Sequence, residues 1–217
     1  MSKKILLIVL FLSNIVSVKG QENEVGNWLI YIGNKELNNS LNWHHEIQHR
    51  NYNLFGDLEQ LLLRTGLGFD VNANNNILLG YGFIDSRNII GQTDKKLKVN
   101  EHRVYQQFIS KHTIGKLKIQ HRYRFEQRFV EDEFKLRYRY FLSLKIPFLK
   151  SNEKYYISSY NELFINSYGD NTFDRNRIYG GLGYSLNSNI KFELGYMIQI
   201  FKSSSRDQLN LICFFNF

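Results

Sequence analysis

Residues 117–146 read LKIQHRYRFEQRFVEDEFKLRYRYFLSLKI, and two interleaved stripes run through them. Leu117, Ile119, His121, Tyr123, Phe125, Gln127 and Phe129 share one parity, while Lys118, Gln120, Arg122, Arg124, Glu126 and Arg128 share the other. After the break Glu131-Asp132-Glu133 the alternation restarts. Phe134, Leu136, Tyr138, Tyr140, Leu142, Leu144 and Ile146 now oppose Lys135, Arg137, Arg139, Phe141, Ser143 and Lys145. Successive side chains of a strand point to opposite faces, so this two-residue period marks strands and not a helix. The stretch is a long hairpin with one apolar and one charged face.

Outward from this hairpin the same pattern recurs over Leu41–Tyr52, Gln60–Val71, Ile77–Phe83, Glu101–Lys111, Tyr155–Ile165, Arg175–Leu186, Ile190–Phe201 and Asp207–Phe217. With Trp28–Ile32 this makes eleven strand candidates. Asn72–Asn76, Thr113–Lys116 and Asn187–Asn189 are short polar connections; Asp85–Lys98 and Ser167–Asp174 read as longer ones. No Pro/Ser-rich linker divides the chain, so it reads as one domain over 21–217.

Composition narrows the class. Thirty-three aromatics against one Pro and one Cys, in 217 residues, exclude a disordered chain and a disulfide-stapled mini-protein. Residues 1–20 have the form of a cleaved signal peptide: basic Lys3 and Lys4, an apolar run from Ile5 to Leu12, and Val18-Lys19-Gly20 before Gln21. Its removal takes away three lysines and no acid, so 28 basic residues become 25 against 20 acidic ones, a net of +5. The pI of 9.4 is therefore partly a property of the signal.

Period-two alternation fits either a soluble antiparallel sandwich or a transmembrane barrel. Strand length separates them, because soluble strands usually run about 5–6 residues and a tilted spanning strand needs about 9–11. Most segments here are of the longer kind. Mean hydropathy of −0.38 beside strong apolar stripes matches an exterior facing lipid and an interior that takes the charge. The expectation is an all-β, antiparallel up-and-down transmembrane β-barrel of ten to twelve strands. Bacterial single-chain barrels have even counts, which points to ten or twelve. Leu209, Leu211, Cys213, Phe215 and Phe217 alternate to the end of the sequence, the form of an outer-membrane assembly signal carried by Phe215 and Phe217.

Several blocks resemble a known family. They are Glu101–Phe108 (EHRVYQQF), His121–Phe129 (HRYRFEQRF), Arg137–Tyr140 (RYRY), Asn161–Asn166 (NELFIN) and Phe173–Tyr184 (FDRNRIYGGLGY). Together they resemble the outer-membrane family catalogued as domain of unknown function 2490. The resemblance implies an outer-membrane β-barrel and no assigned activity.

The chemistry legible in the residues is electrostatic. Arg50, Arg64, Arg103, Arg122, Arg124, Arg128, Arg137, Arg139 and Arg177 share faces with Glu46, Glu101, Glu126, Glu162 and Glu193. Nine guanidinium groups against five carboxylates suggest a lumen that is either an interlocked ionic filling or a narrow pore favouring small anions. Filling is favoured at this barrel size, since side chains fill an eight-stranded interior and an open channel needs about 16–18 strands. An enzymatic alternative, a lipid hydrolase, would draw a Ser–His pair from Ser110, Ser143 or Ser158 with His44, His45, His49, His102, His112 or His121. No Gly-x-Ser-x-Gly elbow accompanies them. His44, His45, Glu46 and His49 are dense in metal ligands, but alternation sends them to opposite faces. No catalytic residue, metal site or cofactor is assigned. The expected partners are outer-membrane lipids and the barrel-assembly machinery. Export and the modest net charge argue against nucleic acid, and nothing in the sequence sets an oligomeric state. Gly80, Gly82, Gly180, Gly181 and Gly183 alternate within strands and relieve crowding instead of forming a phosphate loop.

Overall fold

Period-two alternation becomes eleven strands that close on themselves. The computed structural model describes residues 25–217 apart from 92, 94, 150, 151 and 168–171. The signal peptide expected over 1–20 lies outside the described residues. In chain order the strands are β1 (Gly26–Glu36), β2 (Leu41–Asn53), β3 (Gly56–Asn72), β4 (Asn75–Ile89), β5 (Lys96–Ile114) and β6 (Leu117–Val130). They continue as β7 (Glu133–Pro147), β8 (Tyr155–Asn166), β9 (Phe173–Ser185), β10 (Ile190–Ile200) and β11 (Ser205–Asn216). Each strand pairs antiparallel with the next, and β1 pairs with β11 to complete a closed barrel.

The strand class and closure match the sequence reading, but the even count does not. Eleven strands make ten antiparallel steps, an even number, so the last strand runs in the same direction as the first. The seam is accordingly parallel, in register from Gly26↔Gln208 to Asn34↔Asn216. The Phe217 amide donates to the Asn34 carbonyl at 2.9 Å, and the Glu36 amide to the Phe217 carbonyl at 3.1 Å. Gly26 and Phe217 therefore lie at opposite ends of the barrel.

A second correction concerns Asp85–Lys98. Most of it is strand, with Asp85↔Asn100 through Ile89↔Lys96 extending the β4–β5 ladder. The run Asp85-Ser86-Arg87-Asn88 hides this because polar side chains erase the apolar stripe. The backbone ladder continues beneath them, and Asp85 holds Arg87 at 3.0 Å and Lys98 at 3.6 Å. Tight reversals join most strands. At the β5–β6 reversal Gly115 has φ +60°, a conformation that glycine adopts without a Cβ clash.

A single closed layer has one place to bury side chains, its interior. One wall there is apolar: Trp28, Ile30, Tyr179, Met197 and Ile212 cluster across β1, β9, β10 and β11. Large rings fit because glycines face them. A Cβ at Gly195 or Gly181 would run into the Tyr179 ring, one at Gly183 into Tyr156, and one at Gly80 into Tyr105. The outward Gly180, by contrast, has nothing within 4 Å of such a Cβ.

These seats predict a contrast between two identical substitutions. Gly195→Ala should cost about 1–3 kcal/mol by forcing the Tyr179 ring off its seat. Gly180→Ala should stay within about 0.5 kcal/mol. Urea unfolding of the two variants measures this, and equal losses would mean that the ring is not seated on glycine.

Candidate functional site

The alternating register that points Tyr123 and Tyr138 outward turns Arg124, Glu126, Arg137 and Arg139 inward, where all four are buried. Glu126 is the hub, at 0 % exposure. It accepts from Arg137 at 2.7 Å and Arg139 at 2.6 Å, with Arg124 at 3.6 Å. Glu162 on β8 forms a second hub, joined to Arg139 at 2.6 Å, Arg122 at 2.7 Å and Arg177 at 3.6 Å. Arg139 spans both carboxylates, so β6, β7, β8 and β9 are tied through one chain of ion pairs. On β5, Glu101 takes Arg103 and Arg128, each at 2.5 Å. Arg64 meets Glu46 at 3.0 Å across β3 and β2.

Neutral groups hold some of the expected residues as well. Arg124 directs Nε and Nη2 to the Gln107 side-chain oxygen, at 2.9 and 2.6 Å, and lies 4.4 Å from the Tyr105 ring centre. Arg50 makes no ion pair among the described residues. It bonds to the amide oxygens of Gln48 and Gln60 and stacks on Trp28 at 3.7 Å, while being only 7 % exposed. Arg177 lies over the same Trp28 ring at 4.8 Å and donates to Gln199 at 2.9 Å. Glu193 belongs to a separate cluster, with Lys145 at 2.5 Å and the Tyr156 hydroxyl at 3.0 Å.

Arg175 and Asp174 were not among the expected charged set, yet both join it. Asp174 accepts from Arg137 at 3.0 Å and from Arg175 at 3.3 Å. Arg175 shares parity with Arg177 and Tyr179, which was signal enough. Asp174 has the other parity. It turns inward because the β8–β9 register passes from Phe164↔Arg175 to Ile165↔Phe173, leaving Asp174 as the extra residue of a bulge.

Eight of these arginines line one polar pocket of about 250 Å³ toward the Gly26 end: Arg50, Arg64, Arg103, Arg128, Arg137, Arg139, Arg175 and Arg177. Glu101 is its one lining carboxylate. The carboxylates paired with these arginines among the described residues add Glu46, Glu126, Glu162 and Asp174. Among the described residues eight guanidinium groups thus face five carboxylates, a surplus of three positive charges.

The remaining candidates lie elsewhere. Ser110 Oγ sits 3.1 Å from His112 Nε2 on the exposed face, and His112 is edge-on to the His121 ring at 5.7 Å. No carboxylate bonds His112 among the described residues. His44 turns in toward Glu46 at 3.6 Å, whereas His45 packs outward between Tyr31 and Trp43. Among the described residues no group of three His, Cys, Asp or Glu side chains is placed to hold a metal. Phe215 and Phe217 stack on one another at 5.9 Å beside the seam, with Tyr31 5.7 Å from Phe215.

Buried charges are tolerated here because each carboxylate is met by several charge-assisted donors. Glu126→Gln should therefore cost about 3–5 kcal/mol, since it leaves the buried Arg124, Arg137 and Arg139 short of their shared counter-charge. Glu133→Gln removes one partner of Lys135 at an exposed carboxylate and should cost under about 1 kcal/mol. Chemical denaturation of both variants checks the ordering, and a Glu126→Gln protein as stable as Glu133→Gln would contradict it.

Neither curated proteins nor solved structures provide a match to this chain. The family model described as protein of unknown function (DUF2490) matches residues 25–210, which spans β1 to β10 and half of β11. The eleven-stranded barrel and its charged interior thus belong to a member of the DUF2490 family.

Proposed function

We propose that this chain is an integral outer-membrane β-barrel whose Arg/Glu-rich lumen is filled by its ionic lattice, acting as a structural element or at most a slim pore. The observation that carries this reading is the inversion of polarity. Leu29, Leu79, Tyr123, Leu182 and Leu194 are among many large apolar side chains on the exposed face, while Glu126, Arg124, Arg137 and Glu162 are buried. Water disfavours such an exterior and lipid favours it. Strands of 11 to 19 residues are long enough to cross the hydrocarbon layer with tilt. Closure also leaves no unpaired strand edge, which a bilayer requires. In this reading a cleaved signal peptide exports the chain, and Phe215 and Phe217 present it to the barrel-assembly machinery.

The exterior supplies a direct test. Leu194 lies near the middle of β10 and is 55 % exposed, so water would accept an arginine there. In a bilayer Leu194→Arg should cost about 2–4 kcal/mol of folding stability. Phe55→Arg, at 99 % exposure in the β2–β3 turn, should be neutral. Wild-type protein should fractionate with the outer membrane and shift on a gel when boiled. A soluble protein with a harmless Leu194→Arg would refute the reading.

The arginine surplus favours a second reading, a channel for small anions, and planar-bilayer conductance separates the two. A filled barrel should be nearly non-conducting, and Arg124→Ala with Arg137→Ala should open a small current. An anion channel should conduct as wild type, and the same pair should shift its selectivity toward cations. A wild type that prefers cations contradicts both.

A further inference from the structure

We infer that the arginine-lined pocket at the Gly26 end binds a small soluble oxyanion carrying two or more negative charges, with the tetrahedral chemistry of phosphate or a phosphoryl group. The inference rests on the barrel interior and does not need conduction: a closed barrel would hold the anion as a ligand, a conducting one as a step in passage.

Three observations carry it. The first is the surplus itself, because eight guanidinium groups against five carboxylates among the described residues, in a partly enclosed space, call for counter-charge. The second is the state of particular donors. Arg50 bonds to neutral amides and stacks on Trp28 with no ion pair among the described residues, while the carboxylate of Glu59 pairs with Arg206 at 2.6 Å. The buried Nε of Arg64 has no hydrogen-bond partner among the described residues. The third is arrangement. The guanidinium groups come from β2, β3, β5, β6, β7 and β9 and so converge from around the lumen. A planar carboxylate offers its two oxygens along one edge and suits a single fork. A tetrahedral oxyanion offers oxygens in every direction and suits a ring of forks. Size is compatible, since 250 Å³ equals the liquid volume of about eight waters, room for phosphate or pyrophosphate with some hydration.

The fold also selects the source. A continuous closed sheet separates this pocket from lipid headgroups, so the occupant enters from the barrel end as a free solute. Non-polar walls contribute as well: Phe164 sits amid Arg139, Arg177, Arg137 and Arg175, 4.4 to 5.8 Å from its ring centre. These cation–π contacts hold the guanidinium planes apart without consuming their edge donors.

Trp28 provides the readout, because Arg50 and Arg177 both lie over its ring. The chain has two tryptophans, and Trp43→Phe leaves Trp28 as the reporter. The folded, detergent-solubilised protein as exported is titrated with inorganic phosphate and with pyrophosphate, against chloride at equal ionic strength. A saturable fluorescence change with both oxyanions, absent with chloride, is expected. Arg50→Gln should weaken binding at least tenfold while keeping the boiled-versus-unboiled gel shift, since it breaks no ion pair. Arg177→Gln is the second variant; it leaves Glu162 with Arg122 and Arg139. Phosphate should raise the melting temperature of wild type, but not of either variant. Absence of a saturable response overturns the inference, and so does unchanged affinity in both variants. Tighter binding of succinate than of phosphate overturns the phosphoryl assignment. Because binding is read in detergent, it is decided separately from fractionation and conductance, so failure of the membrane reading and failure of this one are distinguishable.

Discussion

The main-chain hydrogen bonds that join β1 to β11 remove the two edges an eleven-stranded sheet would otherwise present, and with them go both routes to edge-to-edge association. Closure also creates an inside. Only after the seam forms do Arg124 and Glu126 face other strands' side chains across a lumen. The odd count makes this seam parallel and sends Gly26 and Phe217 to opposite ends. Its geometry is then buttressed by the cluster of Trp28, Ile30, Met197 and Ile212, which draws on the strands flanking the seam.

Two filling strategies share the interior. Around β8 to β11 and β1, tyrosine rings lie over glycines and the wall is apolar. Around β2 to β9, arginines and carboxylates fill the space by mutual neutralisation. The second strategy carries a heavy desolvation cost for every charge, and it works only where each carboxylate is met by several polar or charged donors. The sharing is incomplete toward the Gly26 end. There Arg50 ends on amides and the positive surplus collects. A region where neutralisation stops short differs chemically from the rest of the lumen.

Much of this was legible along the chain. Eleven alternating segments were countable, and eleven strands formed. The parity of the 117–146 hairpin separated Arg122, Arg124, Glu126, Arg137 and Arg139 from the outward tyrosines before any pairing was known. Other features were hidden for local reasons. The polar run Asp85–Asn88 concealed the continuation of β4. The bulge at Asp174 broke parity at the one carboxylate that holds both Arg137 and Arg175.

The sequence by itself determined the strands, their two faces and the excess of arginine over carboxylate, because these are properties of adjacent residues with a fixed two-residue period. Tertiary structure alone decided the parallel seam, the pairing of Glu126 with Arg139 and of Arg139 with Glu162, and the gathering of eight arginines around one pocket. Those depend on the stagger between neighbouring strands and on which residues meet across a closed lumen. Alternation within a strand carries no information about either.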